Sequence, residues 1–145
     1  MQLHATLYGK DGSAWCKIPL LPEPLKKSAM TIKRLQKSSR MSQAVIHGGI
    51  VYLAGQVGTE GAGATEQTQQ ALESIDRLLA AAGSGKSHLL QATIWLADMA
   101  DFGAMNAVWE AWIDRENPPA RSTGQTPMVS PGYKVEITVV AAVRS

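Results

Sequence analysis

Residues 133–143 read YKVEITVVAAV, the most strongly strand-like segment of this chain. Its β-branched and aromatic residues are typical of a strand. The segment 137–143 is apolar on both faces, whereas a strand with one solvated face alternates between apolar and polar residues. The stretch therefore predicts a strand that needs cover on both sides of its sheet. We expect another subunit to supply the cover that the chain itself lacks.

Further strands are predicted upstream of this stretch. Gly48-Gly49 separates two β-rich segments and predicts a tight hairpin, because glycine adopts positive φ without steric cost. The run LLQATIWL reads as a strand buried on at least one face. The predicted strands are 31–35, 42–47, 50–57, 89–96, 121–126 and 133–143.

Two segments have the spacing of amphipathic helices. The first is expected to begin with Thr65 as its N-cap and to end at Gly83 and Gly85, with Gln67 away from its apolar face. The second is expected to begin at Asp98 or Asp101 and to reach about residue 115, before Pro118-Pro119. The core-facing positions are Thr68, Leu72, Ile75 and Leu79 in the first helix, and Phe102, Met105, Trp109 and Trp112 in the second.

The predicted order β-β-β-α-β-α-β-β places two helices on one face of a mixed sheet. This arrangement defines a two-layer α+β domain, which we assign to residues 30–145. Residues 1–29 differ, since they contain three closely spaced prolines and show no sustained period. We expect them to be a flexible N-terminal extension: a leader, an extension from an upstream start, or a cloning remnant.

Composition excludes several classes of protein. The formal net charge of +2 and the lack of a basic run interleaved with aromatics argue against nucleic-acid binding. Cys16 is the single cysteine, which fits a reducing, cytoplasmic setting. No apolar run approaches the roughly 20 residues of a membrane helix. No Cys/His spacing resembles a zinc site, so neither metal nor membrane is expected as a partner.

Glu136 and Arg121 are the candidate chemical groups. Alternation places Glu136 on the face opposite Val135 and Ile137, where it is either an exposed strand residue or a buried carboxylate that needs a partner. Arg121 opens a strand and could grip a carboxylate with two parallel hydrogen bonds, or lie on the surface. Taken singly, each is more often a surface residue. Hairpin pairing of the last two strands would not bring them together, so a shared site needs a tertiary or inter-subunit arrangement.

A family resemblance joins these residues. The segments MSQAVIHGGIVYLAGQV (41–57), EQTQQALESIDRLLAAAG (66–83), ATIWLADMADFGAMNAVWEAW (92–112), PPARSTGQ (118–125) and VEITVVAA (135–142) resemble the Rid/YjgF family of enamine/imine deaminases. The resemblance covers about residues 31–143. It implies a chorismate-mutase-like α+β fold and a homotrimer, in which three sheets form a central β-barrel and the active sites lie between subunits.

The resemblance also implies residue roles. Arg121 matches the arginine that binds the substrate carboxylate, and Glu136 matches the glutamate that positions or activates water. Gly55 and Thr123 match backbone positions that complete the pocket, and Asn106, which matches an asparagine of the second helix, is expected to bind the substrate as well. No metal or organic cofactor is implied.

Three positions depart from the family pattern. Met41 stands where the family has tyrosine, Ala54 where it has serine, and Gln125 where it often has glutamate. Two hydroxyl groups that could order water or substrate are therefore lost, and Met41 makes the substrate-binding wall softer. The acid-binding arginine remains, so we expect a ligand with a carboxylate or carbonyl, which could be bulkier than 2-aminoacrylate.

The resemblance predicts hydrolytic deamination of small enamine or imine acids to 2-keto acids and ammonia. The alternative is a non-catalytic module that binds or senses a small keto acid in the same inter-subunit cleft. RNA cleavage, attributed to some relatives, is disfavoured because a near-neutral chain lacks a basic stripe for phosphates.

Overall fold

The computed structural model describes the backbone of residues 4–8 and 14–19, and the backbone and side chains of residues 31–144. A small two-stranded antiparallel sheet is formed by β1 (His4–Tyr8) and β2 (Ala14–Pro19). These two strands are not predicted from the sequence, because segments this short show no clear alternation of apolar and polar residues. The predicted flexibility of the extension remains a prediction, and its other residues lie outside the described ranges.

The main domain contains seven strands and two α-helices, which are β3 (Lys33–Lys37), β4 (Ser42–His47), β5 (Ile50–Leu53), β6 (Gln56–Val57), α1 (Ala64–Ala81), β7 (Leu89–Leu96), α2 (Phe102–Trp112), β8 (Ala120–Gln125) and β9 (Val135–Ala142). The strands form one sheet with the order β3-β4-β5-β9-β7-β8, and the two-residue strand β6 also pairs with β9. All pairings in this sheet are antiparallel except that of β7 with β8.

Strand β9 lies between β5 and β7 and alternates between buried and half-buried residues. Val135, Ile137 and Val139 face the helices and join Met105 and Trp109 of α2 in one core. This confirms the mixed sheet with two helices on one face. The other face carries large exposed residues, with Tyr52 50% and Trp95 38% exposed in the single chain.

Several predicted boundaries differ from the structure. The strand predicted over 50–57 is interrupted at residues 54–55, between β5 and β6. The N-cap of α1 is Gly63, not Thr65, since the helix already begins at Ala64. The second helix ends at Trp112 rather than near residue 115, because Ile113 adopts an extended backbone. Gly83 ends α1 with a positive φ of 76°, as predicted.

Gln67 was predicted on the polar side of α1 and is instead fully buried. Its Nε2 donates to the carbonyl oxygens of Ala62 and Gly132, and its Oε1 accepts from the Lys134 backbone N–H. A buried amide is stable here because these three hydrogen bonds replace those it would make with water. The side chain thereby ties α1 to the loop that leads into β9 and Glu136.

Replacing Gln67 with leucine keeps the volume but leaves the Ala62 carbonyl and the Lys134 N–H without partners, whereas the Gly132 carbonyl keeps its bond from the Gly61 N–H. We expect Gln67→Leu to lower the free energy of unfolding by about 2–4 kcal/mol. The measurement is urea denaturation followed by circular dichroism. Gln69→Leu, at an exposed position of the same helix, is the matched control and should change stability by less than about 0.5 kcal/mol. Equal stability of the two variants would contradict the role given to Gln67.

Candidate functional site

The position of β7 determines where Arg121 and Glu136 lie. β7 pairs with β9 on one side and with β8 on the other, so the last two strands are not neighbours and form no hairpin. The β7–α2–β8 connection returns the chain parallel to β7, because a helix between two strands favours a parallel crossover. Two strand spacings, about 10 Å, therefore separate β8 from β9.

The strand register puts the two side chains on opposite faces of the sheet. Arg121 is aligned with Ala92, whose side chain is buried under the helices. Glu136 is aligned with Trp95, which lies on the exposed face. Because paired residues project to the same side, Arg121 faces the helix layer and Glu136 faces away from it. A single chain does not bring these two residues to one pocket.

The first cluster, which we call the arginine cluster, surrounds Arg121 at the β8 edge. Arg121 Nη1 donates to Asn106 Oδ1 at 2.8 Å, and Asn106 Nδ2 donates to Glu110 Oε1 at 2.6 Å. The guanidinium carbon lies 5.5 Å from the ring centroid of Trp109, a cation–π arrangement. Thr123 projects to the same face as Arg121, and its buried Oγ1 has no hydrogen-bond partner among the described residues.

The turn before β8 helps to place this cluster. Asp114 accepts hydrogen bonds from the Asn117 side chain and from the Glu116 backbone N–H. These bonds stabilise the charged carboxylate, and they lower the pKa of Asp114 below its usual value of 3.8. The chain then passes through Pro118-Pro119 into β8, where Arg121 is the second residue.

The second cluster, which we call the glutamate cluster, surrounds Glu136 on the exposed face. A Cβ atom at Gly55 would overlap the Glu136 carboxylate, so the side chain lies directly against the Gly55 backbone. Gln56 Nε2 donates to Gln43 Oε1 at 2.9 Å and to the carbonyl oxygen of Ala54. This glutamine pair holds β4 and β6 together beside Gly55.

Met41 precedes β4 and is 49% exposed. It lines an open concavity of about 310 Å³ at the β3–β4 hairpin, together with residues 34, 37–40 and 42. Neither Arg121 nor Glu136 lines this concavity. Within one chain five of the predicted site residues therefore fall into two separated groups, Arg121, Asn106 and Thr123 in one and Glu136 and Gly55 in the other, while Met41 lines the concavity apart from Arg121 and Glu136.

The neighbours that shape each group are not evident from the sequence. Glu110 and Trp109 were assigned no part in the arginine cluster, although Asn106 and Glu110 have the i,i+4 spacing of helix neighbours. The pairing of Gln43 with Gln56 depends on the break between β5 and β6, which periodicity does not reveal. Among the described side chains no three His, Cys, Asp or Glu form a possible metal site. No helix in the described part of the chain could cross a membrane.

The fold and the two clusters define a two-layer α+β protein with an arginine at a sheet edge and a glutamate on the exposed sheet face. A family model described as Endoribonuclease L-PSP matches residues 31–143. The chain belongs to this family, also called Rid/YjgF, as the motif resemblance predicted.

Relatives and solved structures agree with this assignment. The RutC family protein YoaB of Escherichia coli K12 is 46% identical over 114 residues, which cover 79% of this chain and 100% of the relative. A Rattus norvegicus protein named 2-iminobutanoate/2-iminopropanoate deaminase is 30% identical, with 81% and 90% covered. The crystal structure of a YjgF family member from Neisseria meningitidis superposes with a TM-score of 0.79 at 40% identity, covering 81% and 98%.

Proposed function

We propose that the protein hydrolyses small enamine or imine acids to 2-keto acids and ammonia. The proposal rests on Arg121, whose guanidinium is bonded to an amide and has no carboxylate partner among the described residues. Its charge is therefore available for a carboxylate ligand. The name of the rat relative, an imine deaminase, supports the reaction class. A cytoplasmic location remains a prediction from the single cysteine.

In the proposed reaction Arg121 binds the substrate carboxylate and the Glu136 carboxylate accepts a proton from water. The hydroxide so formed adds to the imine carbon, so that a C–O bond forms and the C=N double bond becomes single. Glu136 then returns the proton to nitrogen, which gives a neutral carbinolamine. The proton of its hydroxyl group next passes to nitrogen through the Glu136 carboxylate, the C–N bond breaks, and ammonia leaves as the C=O bond of the keto acid forms. The backbone near Gly55 and Thr123 completes the pocket, and Met41 forms its softer wall.

We further propose that two copies build each site. The arginine cluster of one copy faces the glutamate cluster of the next, since the two residues of one chain lie on opposite faces. A homotrimer with a central β-barrel would supply this arrangement and would cover the exposed face that carries Tyr52 and Trp95. Each site would then hold one Arg121 and one Glu136 from neighbouring copies.

The direct test is turnover of 2-iminopropionate, generated in the assay from serine by a dehydratase. We expect the protein to accelerate formation of ammonia and pyruvate. Arg121→Ala should lower kcat/KM about 100-fold, because an unshielded charge pair with a carboxylate contributes about 3 kcal/mol. Arg77→Ala, which removes an exposed arginine from α1, is the control and should retain wild-type turnover.

Absence of any acceleration by the wild-type protein, or full activity of Arg121→Ala, would overturn the proposal. Pyruvate binding without imine turnover would instead support the non-catalytic binding function. Met41 and Ala54 favour that second function, because the hydroxyl groups that could order water are missing at both positions.

A separate prediction concerns Gly55. A methyl group there would overlap the terminal carboxylate of Glu136, which can rotate away at small cost to stability. We therefore expect Gly55→Ala to lower kcat about 100-fold, while the free energy of unfolding changes by less than about 1.5 kcal/mol. The measurements are imine turnover and urea denaturation.

Gly63→Ala is the matched control for this change. A Cβ at Gly63 meets no atom within 4 Å, so activity should be unchanged. Wild-type activity in Gly55→Ala would show that the position of Glu136 does not matter for turnover.

A further inference from the structure

Asn106 lies between two groups of opposite hydrogen-bonding character. The Arg121 guanidinium can only donate, and the Glu110 carboxylate can only accept. An asparagine amide has one accepting end and one donating end. Only one orientation of the Asn106 amide satisfies both neighbours, with Oδ1 towards Arg121 and Nδ2 towards Glu110. The structure has this orientation, with distances of 2.8 Å to Arg121 Nη1 and 2.6 Å to Glu110 Oε1.

We propose that Glu110 is a positioning residue, whose carboxylate holds the Asn106 amide so that Arg121 is set for binding a substrate carboxylate. Asn106 and Glu110 are one turn apart on α2, so the helix fixes their spacing. Glu110 is exposed and contacts Arg121 only through Asn106. The inference rests on the proposed role of Arg121, and it moves Asn106 from substrate contact to support of the guanidinium.

The Trp109 ring and the Asn106 amide together restrain the arginine from two sides. The ring is nearly buried and lies 5.5 Å from the guanidinium carbon, and Asn106 takes one N–H of Nη1. The other N–H donors have no partner among the described residues. Because an amide and not a carboxylate touches Arg121, the positive charge is not cancelled, and the free donors can form a bidentate pair with a ligand.

Glu110 has two effects on the binding of an anionic ligand, and they act in opposite directions. The direction in which the affinity changes when Glu110 is replaced therefore tests the proposal. As a nearby negative charge, Glu110 repels an anionic ligand, so its loss should tighten carboxylate binding if charge alone matters. As a positioning group, it keeps the amide oxygen towards Arg121, so its loss should weaken binding. Lysine at position 110 would donate to Asn106 Oδ1 and favour the flipped amide, which turns a donor towards a donor.

The experiment measures pyruvate affinity and imine kinetics of the assembled protein. We expect Glu110→Lys to weaken pyruvate binding about 10-fold and to raise KM with little change in kcat, since a hydrogen bond to a charged group is lost. Glu110→Gln keeps an accepting oxygen and should restore most of the affinity. Glu73→Lys, the same charge change at an exposed site of α1, should not weaken pyruvate binding.

A second measurement does not depend on any ligand. The heteronuclear NOE of the Arg121 Nε–Hε group should fall in Glu110→Lys, and should stay at the wild-type value in Glu110→Gln and Glu73→Lys. The proposal would be overturned if the heteronuclear NOE of Arg121 were unchanged in Glu110→Lys. It would also be overturned if Glu110→Lys bound pyruvate as tightly as the wild type or more tightly. If the wild-type protein binds pyruvate but does not hydrolyse imines, the proposed activity is refuted. The pyruvate affinities of the Glu110 variants then still test the positioning role of Glu110.

Discussion

Strand β7 pairs with β9 along one edge and with β8 along the other, so within one copy it separates Arg121 on β8 from Glu136 on β9. Side chains in a sheet alternate between faces, so the register alone sends Arg121 towards the helices and Glu136 away from them. Moving β9 by one residue would bring them to the same face, but it would also turn Val135, Ile137 and Val139 out of the core. The core therefore fixes the face on which Glu136 lies.

The local contacts around Arg121 differ in kind from those around Glu136. Arg121 lies beside an amide and an aromatic ring, which restrain the guanidinium and leave its charge available. Glu136 lies against the bare backbone of Gly55, where a side chain would displace it. Gln67 adds a third constraint, because its buried hydrogen bonds hold the loop that leads into β9.

Much of the fold could be predicted from the sequence, since the final strand, the Gly48-Gly49 turn and both helical stripes follow local periodicity. The pairing partner of β8 could not be predicted, because a crossover through α2 depends on packing between distant segments. Gln67 was misplaced for a similar reason: polarity predicts exposure unless backbone partners from another loop are known. Arg121 and Glu136 stood out through family motifs, whereas spacing gave no sign that Glu110 supports Asn106 and Arg121.

We propose that each site takes Arg121 from one copy and Glu136 from another. Arg121→Ala and Glu136→Gln, each expected to be nearly inactive alone, can be co-expressed at equal levels so that the two variants assemble together. Random mixing should then restore about a quarter of wild-type imine turnover, because about a quarter of the inter-subunit sites combine an intact Arg121 with an intact Glu136. Turnover no higher than that of the separate variants would contradict the claim, since sites built within one chain can never be complete in such a mixture.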